Sequence, residues 1–114
     1  MKLGYTIVYV ADVPATLDFY EEAFGLKMRF THESGQYGEL ETGSTTLAFA
    51  SEALAESNGV TFAQNKPGKD AAGFEIALVT GAVDVAYAHA CASWCYFHKE
   101  APREALGPES GLRA

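Results

Sequence analysis

An abrupt change from a strand pattern to a helix pattern is the feature that most constrains this chain. The stretch "LGYTIVYV", from Leu3 to Val10, is dense in β-branched and aromatic residues, which predicts a buried strand. Asp12 then offers a carboxylate to the free amides of a helix, and Pro14 suits its first turn. Apolar residues continue at i, i+3 and i+7, on one face of that helix: Leu17, Tyr20 and Phe24. The pattern predicts a strand covered by the helix that follows it.

Three short strand patterns come after this helix, which should end at Gly25 because glycine tolerates a left-handed cap. The turns between them, "SGQ" and "GS", contain glycines that suit tight hairpins. The predicted strands are Leu26 to His32, Tyr37 to Thr42 and Thr45 to Ala50. Residues 1–51 are thus expected to form a complete βαβββ module. One or two helical turns at Glu52 to Ser57 then lead into a linker rich in Gly, Asn and Pro.

The start of the chain is repeated after this linker. Placing Tyr5 on Phe74, an offset of 69 residues (74 − 5), aligns "YTIVYVAD" with "FEIALVTG". A helix pattern follows both segments, and in the second its apolar residues are Val83, Ala86, Tyr87 and Ala90. We expect an α+β fold in a single domain, 1–114, with an incomplete second module at 72–114. That module should hold a strand, a helix that could run to His98, and a tail without strand alternation.

The length and charge of the chain limit its partners. With 114 residues it can form one compact core, and its net charge of −7 disfavours nucleic acid, whose phosphates are neutralised by Lys and Arg.

No apolar run approaches the roughly 20 residues that span a bilayer, and no signal-peptide cleavage site follows the first strand, so we expect a cytoplasmic protein. Cys91 and Cys95 should both be reduced, because a disulfide between residues four apart on a helix is geometrically awkward.

The segment "YTIVYVADVPATLDFYEEAFGLKM" carries a family resemblance in its strand, Asp, helix, "FY" and closing "GL". It resembles the glyoxalase, bleomycin-resistance and extradiol-dioxygenase superfamily, also called the vicinal oxygen chelate proteins, over about Met1 to Cys91. The resemblance implies two βαβββ modules, each curling a sheet into half of a cup that holds a metal ion or a bulky ligand. Here only 22 residues, from Ser93, remain for the last three strands of the second module.

The resemblance also identifies the positions of metal ligands. Enzymes of this superfamily bind a divalent metal with His, Gln or Glu on the first and last strands of each module, leaving places open for substrate oxygens. In this chain those positions fall on Tyr5, Ala48 and Phe74, and the fourth has no counterpart among the predicted strands. Since Ala and Phe have no donor atom, we expect no metal cofactor and no catalytic residue here. A metal-dependent lyase, isomerase or dioxygenase is the alternative function.

The metal-free members of the superfamily, which bind, sequester or sense ligands, fit this sequence better. Strand alternation places every second residue of the first strand, and of the fourth, on one face. The candidate ligand-binding residues are Tyr5, Ile7, Tyr9, Thr46, Ala48 and Phe74. They would line an apolar, aromatic pocket for a flat or cationic small molecule, with the ancestral activity reduced or lost. The alternative is that the aromatic residues only pack in the core.

Acidic and histidine side chains near the second and third strands are candidates for cation binding or proton transfer. Glu39 and Glu41 could attract a cation or form a solvated face. His32 could form a proton-transfer or metal pair with either glutamate across the hairpin, or be exposed at its rim.

An incomplete second module leaves open strand edges and an uncovered helix face, which favour association. We expect a homodimer or a larger assembly formed by strand pairing or module exchange. Its contact should bury the apolar residues of the tail, Trp94, Tyr96 and Phe97.

The tail "SWCYFHKEAPREALGPESGLR" can be explained at the level of DNA. Reading codons such as AGC TGG TGC one base later, with third bases chosen to fit, gives "AGATSTKKPREKPWGQKVAYVR", which is similar to the turn and strand of the superfamily at this place. We therefore predict a frameshift near Cys91 to Ser93. Sequencing the gene tests this hypothesis, and coding DNA whose shifted frame does not yield this string would contradict it.

Overall fold

The computed structural model of the chain describes residues 1–97, so the end of the predicted helix at His98 and the remainder of the tail lie outside the described residues. Its elements are β1 (Tyr5–Val10), α1 (Val13–Phe24), β2 (Met28–Thr31), β3 (Tyr37–Leu40), β4 (Thr46–Ser51), α2 (Glu52–Ser57) and α3 (Val83–Phe97). The predicted α+β class and the βαβββ order of the first module are confirmed. None of the helices in this part of the chain is long and apolar enough to cross a bilayer.

The four strands form one mixed sheet in the order β1-β4-β3-β2. β1 pairs with β4 in parallel, from Tyr5 opposite Thr46 to Val10 opposite Ser51, without a register shift. The other two pairings are antiparallel hairpins, and β2 shifts its register between Met28 and the next paired residue. Because two parallel strands need a crossover between them, α1 has to pass over the sheet.

α1 covers one face of the sheet. Asp12 Oδ1 accepts a hydrogen bond from the Ala15 N–H at 3.1 Å, and Gly25 ends the helix with a φ of 69°. Tyr20 packs on Phe49 with ring centroids 4.9 Å apart, and its burial raises the pKa of the Tyr20 phenol well above the ordinary value. The buried core cluster consists of Val8, Val13, Leu17, Tyr20, Leu40, Leu47 and Phe49.

α3 packs against α1 rather than against the sheet. The ring centroids of Trp94 and Phe19 lie 5.8 Å apart in an edge-to-face arrangement. His89 Nε2 lies 2.8 Å from the Glu22 carbonyl oxygen. Trp94, predicted to lie at a subunit contact, therefore packs on a helix of its own chain.

The strand predicted around Phe74 to Val79 does not form. Residues 74–80 carry no strand assignment, and Phe74 donates its N–H to the Ala72 carbonyl at 2.7 Å, within its own segment. Ile76 packs on the core cluster, whereas Val79 is fully exposed. The pattern of apolar residues therefore identified a segment that contacts the core. A strand also needs a neighbouring backbone with which to form hydrogen bonds, and the apolar pattern does not show whether one is available.

Gly38 lies on β3 beneath α1, and a methyl group at this position would overlap the Leu17 side chain. Both residues are buried, so the leucine has little room to move. We expect Gly38→Ala to lower the free energy of unfolding by about 1–3 kcal/mol, as measured by urea denaturation. Gly4→Ala, whose methyl group would meet no atom within 4 Å, is the control and should change it by less than about 0.5 kcal/mol. Equal effects of the two substitutions would contradict this account of the packing.

Candidate functional site

The face of the sheet opposite α1 brings together five of the six predicted ligand-binding residues. The parallel register sets Tyr5 beside Thr46 and Ile7 beside Ala48, with Tyr9 beside Ala50 in the next row. Tyr5 and Ile7 are 54% and 49% exposed, whereas Thr46 and Ala48 are buried between their neighbours on the two adjacent strands. Small residues of β4 thus lie between larger side chains of β1 and β3.

The antiparallel strands complete this face with two further aromatic rings. Tyr37 of β3 pairs with Ala50, and Phe30 of β2 pairs with Glu39. The Phe30 and Tyr37 rings are 6.4 Å apart. We call the surface formed by the side chains of Tyr5, Tyr9, Phe30 and Tyr37 the aromatic face.

A charged cluster crosses the middle of the aromatic face. Arg29 donates from Nη1 to the Thr46 hydroxyl at 3.1 Å. Its Nε lies 3.8 Å from Glu39 Oε1 and 3.9 Å from Glu41 Oε2. The side chain of Glu39 is only 13% exposed, and that of Arg29 is 46% exposed. One arginine thus faces two carboxylates, and the cluster keeps a net negative charge.

Tyr37 joins this cluster through its hydroxyl, which donates a hydrogen bond of 2.8 Å to Glu39 Oε2. Desolvation of the phenol, followed by this hydrogen bond and the charge of Glu39, raises the pKa of Tyr37 to about 12. Tyr37 is therefore a neutral donor at physiological pH. It fixes the orientation of the carboxylate.

Sequence reasoning singled out Glu39 and Glu41 but missed Arg29 and Tyr37. The hairpin pattern did contain a signal, because Tyr37 and Glu39 alternate on one face of β3. Strand alternation does not predict the position of Arg29, because the bulge in β2 shifts the register of that strand between Met28 and Phe30.

The sixth predicted residue, Phe74, lines a cleft of about 370 Å³ together with Asn65 and residues 71–76. A larger cleft of about 810 Å³ is formed by residues 56, 60–64 and 68–70. The role of Phe74 in ligand binding stays a prediction.

The His32 and Cys91 side chains are engaged by residues close in sequence. His32 Nδ1 accepts a hydrogen bond from the Ser34 N–H at 3.1 Å, within the β2–β3 turn, whereas Glu39 and Glu41 face Arg29. On α3, a hydrogen bond with Cys91 raises the pKa of Tyr87. These contacts favour structural roles.

The residues at the metal positions of the superfamily do not fit a metal ion. Ala48 and Phe74 have no donor atom. Among residues 1–97, no group of three or more His, Cys, Asp or Glu side chains is placed to hold a metal. No step of a mechanism can therefore be derived through a metal on these residues.

The fold agrees with a direct comparison of the sequence with known families. The sequence profile of the Glyoxalase/Bleomycin resistance protein/Dioxygenase superfamily matches residues 2–108, and the chain belongs to this superfamily. The match runs beyond Cys91, where the resemblance noted in the sequence ended. Comparison with curated proteins finds no significant match.

Solved structures share the fold. A glyoxalase/bleomycin resistance protein/dioxygenase family enzyme from Burkholderia phytofirmans PsJN is 23% identical, with a TM-score of 0.60 over 82% of this chain and 73% of that one. A glyoxalase-related enzyme from Fulvimarina pelagi is 20% identical, with a TM-score of 0.58 over 82% and 65%. A glyoxalase/bleomycin resistance protein/dioxygenase from Nocardioides is 19% identical, with a TM-score of 0.61 over 82% and 62%. The chain thus spans between 62% and 73% of the length of these proteins.

The raised pKa of Tyr37 predicts a defined loss of stability at alkaline pH. The unfolded chain loses this proton near pH 10 and the folded chain near pH 12, so stability falls between about pH 10 and pH 12 as the unfolded state ionises first. Tyr37→Phe, which has no proton to lose there, should show a smaller fall in urea denaturation over that range. Ionisation of Tyr20 lowers stability at alkaline pH in the wild type and in Tyr37→Phe alike, so its contribution cancels when the two proteins are compared. Identical pH profiles would contradict the raised pKa of Tyr37.

Proposed function

We propose that this protein binds a small molecule on its aromatic face without a metal ion, and that the ancestral activity of the superfamily is reduced or lost. The observation that carries the proposal is the alignment of Tyr5, Tyr9 and Tyr37 with the Arg29–Glu39 cluster on the face opposite α1. An apolar, aromatic surface with a few oriented polar groups is typical of small-molecule sites.

The charges favour a planar cation as the ligand. Glu39 and Glu41 exceed Arg29 by one negative charge, and the whole chain carries −7. The faces of the surrounding rings attract cations, a contribution of about 0.5–1 kcal/mol each at an exposed site and about 2 kcal/mol when desolvated. The Tyr37 hydroxyl holds Glu39 in place, so the carboxylate is oriented before a ligand arrives.

The alternative function, a metal-dependent lyase, isomerase or dioxygenase, has less support. A structure named lactoylglutathione lyase from Agrobacterium tumefaciens shares the fold at 22% identity and a TM-score of 0.50. At that identity the likeness concerns the fold alone. Ala48 and Phe74 provide no ligand for the metal that such chemistry requires.

A cytoplasmic location belongs to the same proposal. Cys91 is a free thiol in the structure, as expected for a reducing compartment.

Titration with a planar cation, 9-aminoacridine, followed by NMR of the backbone amides tests the proposal. We expect saturable shifts in β1, β3 and β4, and weaker binding of naphthalene-2-sulfonate, a planar anion. Glu39→Gln keeps the size of the side chain and removes its charge, so it should raise the Kd for the cation about fivefold. Glu21→Gln, an exposed change on α1, is the matched control and should leave it unchanged.

Two outcomes would contradict the proposal. One is the absence of saturable shifts on the aromatic face with either probe. The other is stoichiometric zinc or nickel in the purified protein together with shifts at Tyr5 and Ala48 when the metal is added.

A further inference from the structure

The guanidinium of Arg29 lies beside two carboxylates at distances too long for hydrogen bonds. Its Nε is 3.8 Å from Glu39 Oε1 and 3.9 Å from Glu41 Oε2, whereas hydrogen bonds between such charged groups are about 2.7–2.9 Å long. The hydrogen bond that holds the guanidinium, from Nη1, goes instead to the neutral hydroxyl of Thr46 at 3.1 Å. Arg29 therefore balances the charge of the carboxylates without being bonded to them.

Glu39 is held much more firmly than Arg29. Its side chain is only 13% exposed, and its Oε2 accepts the hydrogen bond of 2.8 Å from the Tyr37 hydroxyl. Its Oε1 accepts no hydrogen bond from residues 1–97. A partly buried carboxylate oxygen gains most from a charged N–H donor at hydrogen-bond distance. Oε1 is thus an oriented acceptor for a cation.

The position of Arg29 allows its side chain to leave the cluster. β2 is an edge strand, all of its residues are exposed, and the Arg29 side chain is 46% exposed. Arg29 lies at the register shift, between the paired residues Met28 and Phe30. Its guanidinium can therefore turn into solvent by giving up the bond to Thr46 while the strand pairing stays intact.

We propose that Arg29 is an internal counter-cation, which a ligand displaces when its own cationic N–H group donates a hydrogen bond to Glu39 Oε1. The inference rests on the proposed function and narrows its ligand class to planar cations with N–H donors, such as an amidinium or a protonated amino-heterocycle. A neutral ligand that displaced Arg29 would leave a partly buried carboxylate without a counter-charge. Arg29 thus lowers the affinity for every ligand and discriminates against uncharged ones.

Removal of the internal competitor tests the proposal. Arg29→Gln should lower the Kd for 9-aminoacridine about tenfold in a calorimetric titration, because the ligand no longer has to displace a side chain. Lys69→Gln removes the same charge from an exposed residue of the linker and should leave the Kd unchanged.

A charge-matched variant separates displacement from simple attraction. Arg29→Gln alone makes the cluster more negative, which by itself favours a cation. Arg29→Gln combined with Glu41→Gln keeps the net charge of the cluster at minus one, as in the wild type. The double variant should still lower the Kd about threefold, since the competing guanidinium is absent.

The possible failures can be told apart. A Kd that is unchanged or higher in Arg29→Gln would overturn the proposal, because the arginine would then hold the ligand or take no part in binding. Absence of saturable binding in both the wild type and Arg29→Gln would refute the proposed function, and this inference with it. Wild-type binding remains intact in the first case and is missing in the second.

The motion of Arg29 in the wild-type chain provides a second test, which does not depend on the folding of a variant. NMR relaxation of the Arg29 Nε–Hε group should show an ordered side chain in the free protein. On saturation with 9-aminoacridine, the order should fall to that of a solvated arginine. An Arg29 side chain that stays ordered at saturation would overturn displacement.

A second probe tests the hydrogen bond to Glu39. The 10-methylacridinium ion has the same ring system and the same charge as protonated 9-aminoacridine, but it has no N–H donor. It should bind the wild type about tenfold more weakly, which is the contribution of a hydrogen bond to a charged acceptor. Equal Kd values for the two cations would contradict the proposed bond to Oε1.

Discussion

The parallel pairing of β1 with β4 is the constraint on which the rest of this structure depends. Two parallel strands cannot be joined by a hairpin, so α1 has to cross the sheet, and its apolar stripe then covers one face. The aromatic face remains on the other side. The position of β1 beside β4 also puts it at the end of the sheet.

The same pairing places Ala48 in the interior of the sheet. Ala48 lies between Ile7 and Glu39 in one row across three strands, and it is fully buried. A small residue at this place lets the larger side chains on both sides approach each other. The polar groups of the face lie around this row, where Arg29 connects Glu39, Glu41 and Thr46.

The sequence predicts those parts of the fold that local patterns specify. Asp12 and Gly25 bound α1 as expected, and the alternation of β1 and β4 correctly gave the residues that share a face. The segment around Ile76 shows the limit of such reasoning. Its apolar pattern predicts contact with the core, which occurs, but a strand forms only where another backbone is available. Arg29 was missed for a related reason, since its position on the aromatic face follows from a bulge.

The side chains of Tyr5 and Ile7 stand roughly perpendicular to the sheet, where they can contact a ligand. Both are about half exposed, whereas Thr46 and Ala48 on the next strand are buried. A ligand on the aromatic face would therefore contact the side chains of β1 and β3 rather than those of the strand between them.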